Sequence, residues 1–323
     1  MTHGRAGVSV VLCTYNGARY LPEQLESLAR QSLPPTELVV RDDDSTDETA
    51  SLVAAFAERA PFPVRWTCNA ERLGPTRNFG AAIADAMGEF VALCDQDDVW
   101  LPEKLERVVG VLTREPDAPF AFSDATVVDD ALRPLGYSLW DSVRCTPDVR
   151  AALRHGDAFA ALLRRNVVTG ATLVFRAKHR DRVLPVPHEW IHDGWIALIL
   201  STLGAPVPVE ATLMLYRQHA TNQVGARRRS LLRRVQSPRR YFGSTAREAE
   251  RQFEMLAARL TEVGAPEARL AEAKVRFLRE RAGLHSSLVA RAPDVLRLQL
   301  GGEYLRYADG VRSALKDLFR PER

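Results

Sequence analysis

Short apolar runs alternate with amphipathic segments through the first hundred residues of the chain. The runs VSVVLC, ELVVR, VRWTC and FVALC have the length of strands. The segments between them carry apolar residues at helical spacing, as Leu21, Leu25 and Leu28 do. Alternating strands and helices predict an α/β fold with a mostly parallel sheet and helices on both faces.

The stretch FVALCDQDDVWLPEKL places three carboxylates directly after an apolar run and before an amphipathic segment. The apolar run predicts a buried strand, and the residues from Leu101 on predict a helix. Asp95, Asp97 and Asp98 would therefore lie at the C-terminal end of a strand, which is where open α/β sheets bind ligands. A solvated loop at the start of a helix is the alternative interpretation.

Two further polar loops follow predicted strands, TYNG over residues 14–17 and DDDSTD over residues 42–47. Because the C-terminal ends of parallel strands lie on one edge, the three loops should line one cleft. The cleft lacks a glycine-rich phosphate cradle, and its carboxylates would repel a diphosphate unless Mg²⁺ or Mn²⁺ lay between them. Turn and cap chemistry is the alternative for the second loop, where Ser45 and Glu48 have the spacing of a capping box.

The composition narrows the class of protein. The 323 residues are 46% hydrophobic, and a net charge of +3 gives the whole chain no attraction for nucleic acid. No apolar signal segment precedes the first strand, and Gly204 and Pro206 interrupt the longest apolar stretch, so we expect a soluble, cytoplasmic protein. The cysteines lack metal-ligand spacing and are predicted to be reduced core residues: Cys13, Cys68, Cys94 and Cys145.

The character of the chain changes after residue 220. Before it, the pattern predicts a helix from about Asp148 to Arg165 and strands over ATLVFR and VPVEATLMLYRQH. After it, seven arginines lie between Arg227 and Arg240, and helix-favouring residues dominate from Ser244 on. We predict one domain over residues 1–225, followed over residues 226–323 by a basic linker and a helical appendage.

The arginine cluster has three interpretations. It is a solvated linker, a peripheral contact with anionic lipid headgroups worth about 1 kcal/mol per arginine, or part of a non-catalytic scaffold that binds RNA. Almost no aromatic residues interleave with the arginines before Tyr241, so a base-stacking platform is disfavoured and no nucleic-acid partner is predicted.

The chain resembles the inverting, GT-A-fold glycosyltransferases of family 2 from Val8 to about Gly225. VSVVLCTYNG, VVRDDDSTDET and LCDQDDVWLPEKL are similar to the opening strand, the nucleotide-binding segment and the DXD segment of that family. A closer likeness is to a bacterial rhamnosyltransferase-like subgroup, which shares DQDDVW, VTG, HDGW and YRQH followed by Asn222 and Gly225. One departure is Asp44, where the family usually has Gly, which puts the backbone of that turn in question.

The resemblance implies a nucleotide-sugar in the cleft, held on a Rossmann-like sheet. Thr14, Tyr15 and Asn16 would border the base, and Asp42 or Asp43 would accept a hydrogen bond from the base or the ribose.

The remaining groups would hold the ribose, the diphosphate and the sugar. Asp95 would face the ribose, while Asp97 with Asp98 nearby would hold Mg²⁺ or Mn²⁺ on the diphosphate. Gly170 and Trp195 belong to the implied nucleotide-sugar site through the VTG and HDGW segments.

Three residues carry two interpretations each. Arg77 contacts the nucleotide or pairs with a surface carboxylate, and His219 is a further metal ligand or a structural residue at a strand end. Asp193 is the general base that the resemblance places there, or it only caps the helix that follows it.

The implied reaction is an attack by an acceptor hydroxyl on the anomeric carbon with inversion. The subgroup implies rhamnose from a dTDP donor, with a UDP-sugar as the alternative, and a glycan or lipid-linked glycan acceptor in cell-surface polysaccharide synthesis. A sugar-1-phosphate nucleotidyltransferase is the alternative enzyme, but such proteins normally have a glycine-rich, basic loop where this chain has TYNG with one glycine.

Overall fold

A computed structural model describes residues 7–156, 158–219 and 246–319. The contacts among them define two compact units. The first contains the described residues up to Ala158 and those from Val167 to His219, and the second contains residues 159–166 and the helices after residue 245. The predicted boundary near residue 225, together with Asn222, Gly225 and the arginine cluster, lies outside the described residues.

Strands and helices alternate through the first unit. The strands are β1 (Val8–Thr14), β2 (Glu37–Asp42), β3 (Val64–Cys68), β4 (Phe90–Cys94), β5 (Val99–Trp100), β6 (Phe120–Val128), β7 (Pro134–Ser138), β8 (Leu173–Arg176) and β9 (Val207–Arg217). The helices of the described chain are α1 (Leu21–Ala29), α2 (Thr49–Ala57), α3 (Pro75–Asp85), α4 (Lys104–Arg114), α5 (Leu139–Val143), α6 (Pro147–Arg154), α7 (Ala158–Arg164), α8 (Arg180–Val183), α9 (His192–Ser201), α10 (Ala246–Glu262), α11 (Ala268–Gly283), α12 (Leu288–Leu300), α13 (Glu303–Tyr307) and α14 (Val311–Leu318).

The strands form one sheet in the order β3-β2-β1-β4-β8-β6-β9-β5, with β7 paired to β6. Strands β1 to β4 pair in parallel. β8 is antiparallel to both β4 and β6, so β6 runs in the direction of β4, and β9 is parallel to β6. The C-terminal ends of β1, β2, β4, β6 and β9 therefore share one edge of the sheet, and the predicted α/β fold is confirmed.

The central strands are apolar throughout because both of their faces are covered. Every residue of β4 is buried, as is nearly every residue of β1. Leu21, Leu25 and Leu28 of α1 are buried in the core cluster that contains the β1 residues Val10 and Leu12, which is the helical face that the sequence predicted.

The second unit is helical, and the predicted C-terminal helices are confirmed. Phe277 of α11 packs edge-on against Tyr304 with ring centroids 5.3 Å apart. Arg281 binds both carboxylate oxygens of Asp317, at 2.5 and 2.9 Å. Lys274 donates a hydrogen bond to the carbonyl of Leu163, which ties α11 to α7 within this unit.

Two local predictions are corrected. The helix expected from Asp148 to Arg165 is two helices, α6 and α7, and Gly156 between them has a φ of 101°, which favours glycine. The capping box at Ser45 and Glu48 is absent, because α2 begins at Thr49 and Glu48 makes no capping hydrogen bond.

The cysteines are less uniform than predicted. Cys94 and Cys145 are buried, Cys13 is partly buried, and Cys68 is exposed on the edge strand β3. In the part of the chain described, none of the helices combines the length and the apolar character needed to cross a membrane.

Candidate functional site

Hydrogen bonds join the three polar loops at the edge of the sheet. The backbone of Tyr15 pairs with the side-chain amide of Gln96, through N–H to Oε1 at 2.9 Å and Nε2 to O at 3.1 Å. Asn16 accepts from the backbone of Thr46 at 2.9 Å, and its own N–H donates to Ser45 at 2.8 Å. The loops that follow β1, β2 and β4 therefore meet, as the sequence predicted.

Asp42 braces the first two loops. Its carboxylate accepts hydrogen bonds from the hydroxyl of Thr14 at 2.6 Å and from the backbone and hydroxyl of Ser45 at 2.9 and 2.7 Å. The side chain is buried. Hydrogen bonds within the protein therefore engage both carboxylate oxygens of Asp42. The same is true of Asp43.

Asp43 holds the loop that leads into α3. It accepts from the side chain of Asn69 at 3.0 Å and from the backbone N–H groups of Leu73 and Gly74 at 2.7 and 2.9 Å. This loop carries Arg72, whose guanidinium carbon lies 3.8 Å from the centroid of the Tyr15 ring. Sequence reasoning missed Arg72, because no pattern connects it with Tyr15.

Asp44 adopts a φ of 64°, the left-handed conformation that the family's glycine would reach without strain. Aspartate is among the residues that tolerate this region best. Its side chain is exposed, so the left-handed turn forms with Asp in place of Gly.

Carboxylates crowd the next part of the cleft. Burial, together with the nearby Asp97 and Asp193 carboxylates, raises the pKa of Asp95 to about 7, and the Lys104 ammonium opposes that rise. The same negative charges act on Tyr216 at the end of β9. Burial and the carboxylates of Asp98, Asp95, Asp97 and Asp193 raise the pKa of its hydroxyl well above 10. The structure thus brings Asp95, Asp97, Asp98 and Asp193 together.

Asp98 faces the protein interior. Its Oδ1 accepts from the backbone N–H of Arg217 at 3.0 Å, and its Oδ2 is buried with no hydrogen-bond partner among the described residues. Burial and the charges of Asp97 and Asp95 raise the pKa of Asp98 well above its ordinary value. A cation nearby would offset this concentration of negative charge.

Arg217 links four segments around that carboxylate. Its guanidinium donates to the carbonyls of Asp97 at 2.7 Å and Asp130 at 2.6 Å, and it pairs with Glu23 of α1. The side chain is buried over the ring of Tyr20. Sequence reasoning read YRQH as a motif but did not assign a role to this arginine.

His219 follows β9 and reaches the DQDD loop. Its Nε2 lies 2.7 Å from Oδ2 of Asp97, and its ring stacks on Tyr20 with centroids 4.7 Å apart. The residue predicted as a metal ligand therefore lies beside the carboxylate predicted to bind the same ion.

Asp193 lies in the first turn of α9, but it is not the cap. The helix begins at His192, the N-cap position is Ile191, and no side chain caps it, so the capping interpretation is wrong. Instead Asp193 Oδ2 accepts from the backbone N–H of Gly170 at 3.2 Å. A Cβ at Gly170 would meet His192 Nε2 at 2.7 Å, so this close approach requires glycine.

Two aromatic groups near Asp193 belong to the core. Trp195 is 1% exposed and its indole N–H donates to the carbonyl of Val183 at 2.7 Å. His192 stacks on Phe79 with centroids 4.0 Å apart, and burial lowers its pKa to about 3. The side chain of Trp195 therefore lies in the core among these groups, although the sequence placed it in the sugar site.

Two basic residues, Arg77 on α3 and Lys104 on α4, differ in their exposure. Arg77 is exposed in the first turn of α3, which leaves both of its interpretations open. Lys104, which sequence reasoning missed, is buried at the start of α4, donates to the carbonyl of Ala171 and lies 3.5 Å from the centroid of Trp100. Burial lowers its pKa to about 7, against the attraction of Cys94, Asp98 and Asp95.

The donor set suits a hard divalent cation that is shared with a ligand. Within the described ranges, no group of three or more His, Cys, Asp or Glu side chains could hold a metal ion. Asp97 and His219 offer one oxygen and one nitrogen side by side. Mg²⁺ and Mn²⁺ commonly take only one or two protein ligands and complete their shell with phosphate oxygens and water, so the residues present fit such an ion.

A cavity of about 530 Å³ lies elsewhere on the first unit, between β6, β9 and the segment from Ser138 to Arg150. None of the predicted site residues lines it. The predicted site residues lie instead at the edge of the sheet where β1, β2 and β4 end.

Comparison with known proteins matches residues 9–169 to the family described as Glycosyl transferase family 2. An uncharacterized glycosyltransferase from Nostoc sp. is 29% identical over 219 residues, which cover 67% of this chain and 66% of that relative. The chain thus spans slightly less than two thirds of the length of this curated relative.

Solved structures share the fold. The crystal structure of Staphylococcus aureus TarS 1–349 in complex with UDP-GlcNAc superposes with a TM-score of 0.59 at 17% identity, covering 97% of this chain and 81% of that one. The mannosyltransferase PcManGT from Pyrobaculum calidifontis, in complex with GDP-Man and Mn²⁺, gives a TM-score of 0.54 at 19% identity, covering 98% and 88%. Both likenesses support a GT-A-like α/β fold.

Proposed function

We propose that the chain moves a sugar from a nucleoside diphosphate donor to a hydroxyl of a glycan acceptor, with inversion at the anomeric carbon, because residues 9–169 match the model of glycosyl transferase family 2. One observation carries the proposal: hydrogen bonds join the loops that follow β1, β2 and β4, and His219 lies 2.7 Å from Asp97 at that same edge of the sheet. The family match favours transfer over the nucleotidyltransferase and scaffold alternatives.

Asp193 is proposed as the general base. The acceptor oxygen forms a bond to the anomeric carbon on the face opposite the diphosphate, the hydroxyl proton passes to the Asp193 carboxylate, and the bond between sugar and diphosphate breaks, so that the nucleoside diphosphate leaves with the electron pair. The hydrogen bond that Oδ2 accepts from the Gly170 N–H would hold the orientation of this carboxylate.

Asp97 and His219 are proposed to hold Mg²⁺ or Mn²⁺, with Asp98 behind them. When bound, the ion supplies Lewis-acid stabilisation of the departing diphosphate. Arg217 would position Asp97 and Asp98, because its guanidinium donates to the backbone carbonyl of Asp97 and its backbone N–H donates to the carboxylate of Asp98.

The nucleotide is proposed to lie along the loops after β1 and β2. Tyr15 and Arg72 would border the base with Thr14, Asn16 and Asp43, and Asp95 would face the ribose. The motif resemblance supports a dTDP-sugar, most of all dTDP-rhamnose, with a UDP-sugar as the alternative; both donors carry a pyrimidine.

The acceptor class and the location extend the same proposal. A glycan or lipid-linked glycan of a cell-surface polysaccharide is the proposed acceptor, and the inner face of the membrane the proposed place of transfer. Support comes from the resemblance and from the basic sequence between Arg227 and Arg240, which lies outside the described residues.

Asp193→Asn tests the proposed function. The amide keeps the shape and an oxygen that can accept from Gly170, but it cannot take the hydroxyl proton, so transfer at saturating donor should fall by about 10² to 10⁴-fold. Donor affinity should stay within about twofold, measured as Kd for the nucleoside diphosphate. Near wild-type turnover would remove Asp193 from the reaction.

Asp141→Asn is the matched control. Asp141 also accepts a backbone N–H through its carboxylate, from Ser138 at 3.0 Å, but it does so at the start of α5 among the residues that line the separate cavity. This variant should keep wild-type transfer, since its carboxylate has no part in the proposed proton transfer.

A further inference from the structure

Exposed apolar side chains concentrate at the C-terminal end of the second unit. Thirteen large apolar residues are exposed among the described residues, and eight of them lie between residues 288 and 319. We call these eight the C-terminal apolar face: Leu288, Val289, Leu296, Leu300, Leu305, Val311, Leu315 and Phe319. A concentration of large exposed apolar side chains commonly marks an interaction site.

The spacing of these residues follows the helices that carry them. On α12, Val289, Leu296 and Leu300 recur at intervals of a helical face and are 79%, 58% and 78% exposed. The opposite side of the same helix supplies the core residues Val295 and Leu298. The helix is therefore apolar on two sides, only one of which the unit itself uses.

Helix α14 repeats this arrangement. Val311, Leu315 and Phe319 are spaced four apart and are 60%, 49% and 66% exposed, while Ala314 is buried. Arg291 of α12 donates to the carbonyl of Leu318, which fixes the two helices together. Two outward apolar stripes therefore belong to one packed group of helices.

Basic residues accompany the face in a regular way. Five of its members are followed directly in the sequence by a basic residue, in the pairs Leu296–Arg297, Leu305–Arg306, Val311–Arg312, Leu315–Lys316 and Phe319–Arg320. No member of the face is followed directly by Asp or Glu. Long basic side chains beside bulky apolar groups suit a boundary where apolar groups enter a hydrocarbon layer and the charges stay with phosphate headgroups.

We propose that the C-terminal apolar face binds the surface of an anionic phospholipid bilayer. The apolar side chains enter the boundary between headgroups and acyl chains, and Arg306 and Arg312 contact lipid phosphates. A second copy of the chain fits less well, because a twofold interface would bring a face interspersed with basic residues against itself. The proposal stands on surface chemistry alone and does not depend on the transfer reaction.

Cosedimentation of the full chain with vesicles tests the proposal. Wild type should bind vesicles of 70% phosphatidylcholine and 30% phosphatidylglycerol. The triple variant Leu300→Gln, Val311→Gln, Phe319→Gln should bind at least about tenfold more weakly, because three apolar groups no longer enter the bilayer. These side chains are at least 60% exposed, so the substitutions should leave folding intact, which circular dichroism and the melting temperature would verify.

The control carries the same number of exposed apolar residues from the first unit. Trp66→Gln, Met87→Gln and Leu135→Gln together should leave vesicle binding within about twofold of wild type. Equal binding by wild type and the C-terminal variant would overturn the proposal and indicate a purely electrostatic contact. Absence of wild-type binding would also overturn the proposal. If light scattering shows that the wild type is a dimer and the C-terminal variant a monomer, the face binds a second copy of the chain instead.

Discussion

Gly170 donates a hydrogen bond to the proposed base, and no side chain can be added at this position without moving the buried ring of His192. An added Cβ would lie 2.7 Å from Nε2 of His192, which is held by its stack on Phe79. Gly170→Ala should therefore shift the backbone N–H away from Asp193, slow transfer at least about tenfold and cost about 1–3 kcal/mol of unfolding free energy. Steady-state kinetics and urea unfolding would measure the two effects.

Gly110→Ala is the matched control within the same unit. Gly110 lies inside α4, and an added Cβ there would approach only the end of the Arg114 side chain, at 3.4 Å. Removing a helical glycine should stabilise by about 0.5–1 kcal/mol and leave transfer unchanged. If Gly170→Ala also leaves transfer unchanged, the close approach of Gly170 to His192 does not contribute to activity.

The two carboxylates of the DQDD loop should differ in their response to substitution. Asp97 contacts His219, whereas Asp98 is turned inward to the backbone of Arg217. Asp97→Asn should therefore abolish the gain in nucleoside diphosphate affinity that Mn²⁺ provides, and Asp98→Asn should retain most of it. Calorimetric titrations of UDP with and without Mn²⁺ would measure this, and tight binding in excess chelator would contradict the metal proposal.

At the scale of the element, helix α11 carries a buried cation. Lys274 is 6% exposed and lies over the ring of Phe253 at 3.9 Å, and burial, with the nearby Arg281, lowers its pKa to about 7. Its ordinary value is 10.5. Between these values the unfolded chain holds the proton more tightly than the folded one, so stability should rise with pH by up to about 1.4 kcal/mol per unit.

Lys274→Met should remove that dependence, because methionine has no group that titrates at this position. Native-state hydrogen exchange of residues 268–283 at pH 7 and pH 9, corrected for intrinsic rates, reports on this helix separately. A slope with pH in wild type equal to that of the variant would show that Lys274 titrates normally. Arg279→Gln, whose pairs with Glu250 and Glu254 are exposed, serves as the control.

At the scale of the whole molecule, donor binding should stabilise the folded chain. A ligand at one hundred times its Kd adds about 2.7 kcal/mol, which should raise the melting temperature by several degrees. We expect UDP and dTDP with Mn²⁺ to give larger shifts than GDP with Mn²⁺, and Asp97→Asn to lose the effect of Mn²⁺. A largest shift with GDP would contradict the pyrimidine donor and leave the proposed sugar transfer standing.

The sequence predicted the fold and the meeting of the polar loops at one edge because both depend on local patterns. Strand and helix periods identify the elements, and the C-terminal ends of β1, β2 and β4 meet on one edge whatever their side chains are. The motif resemblance then singled out Asp97, Asp193 and His219, which the structure brings to that edge. These inferences needed no knowledge of which side chains touch.

The tertiary structure decided the partners of individual side chains. His219 and Asp97 are 122 residues apart in sequence, yet His219 Nε2 lies 2.7 Å from Asp97 Oδ2. The inward orientation of Asp98 depends on its hydrogen bond with Arg217 of β9, a strand much later in the chain. Trp195 became a core residue, and Lys104 became a buried cation, through packing against α8 and the segment at Ala171. Periodicity records which face of an element is buried, but a hydrogen bond depends on the position of atoms from distant segments, which only the folded chain fixes.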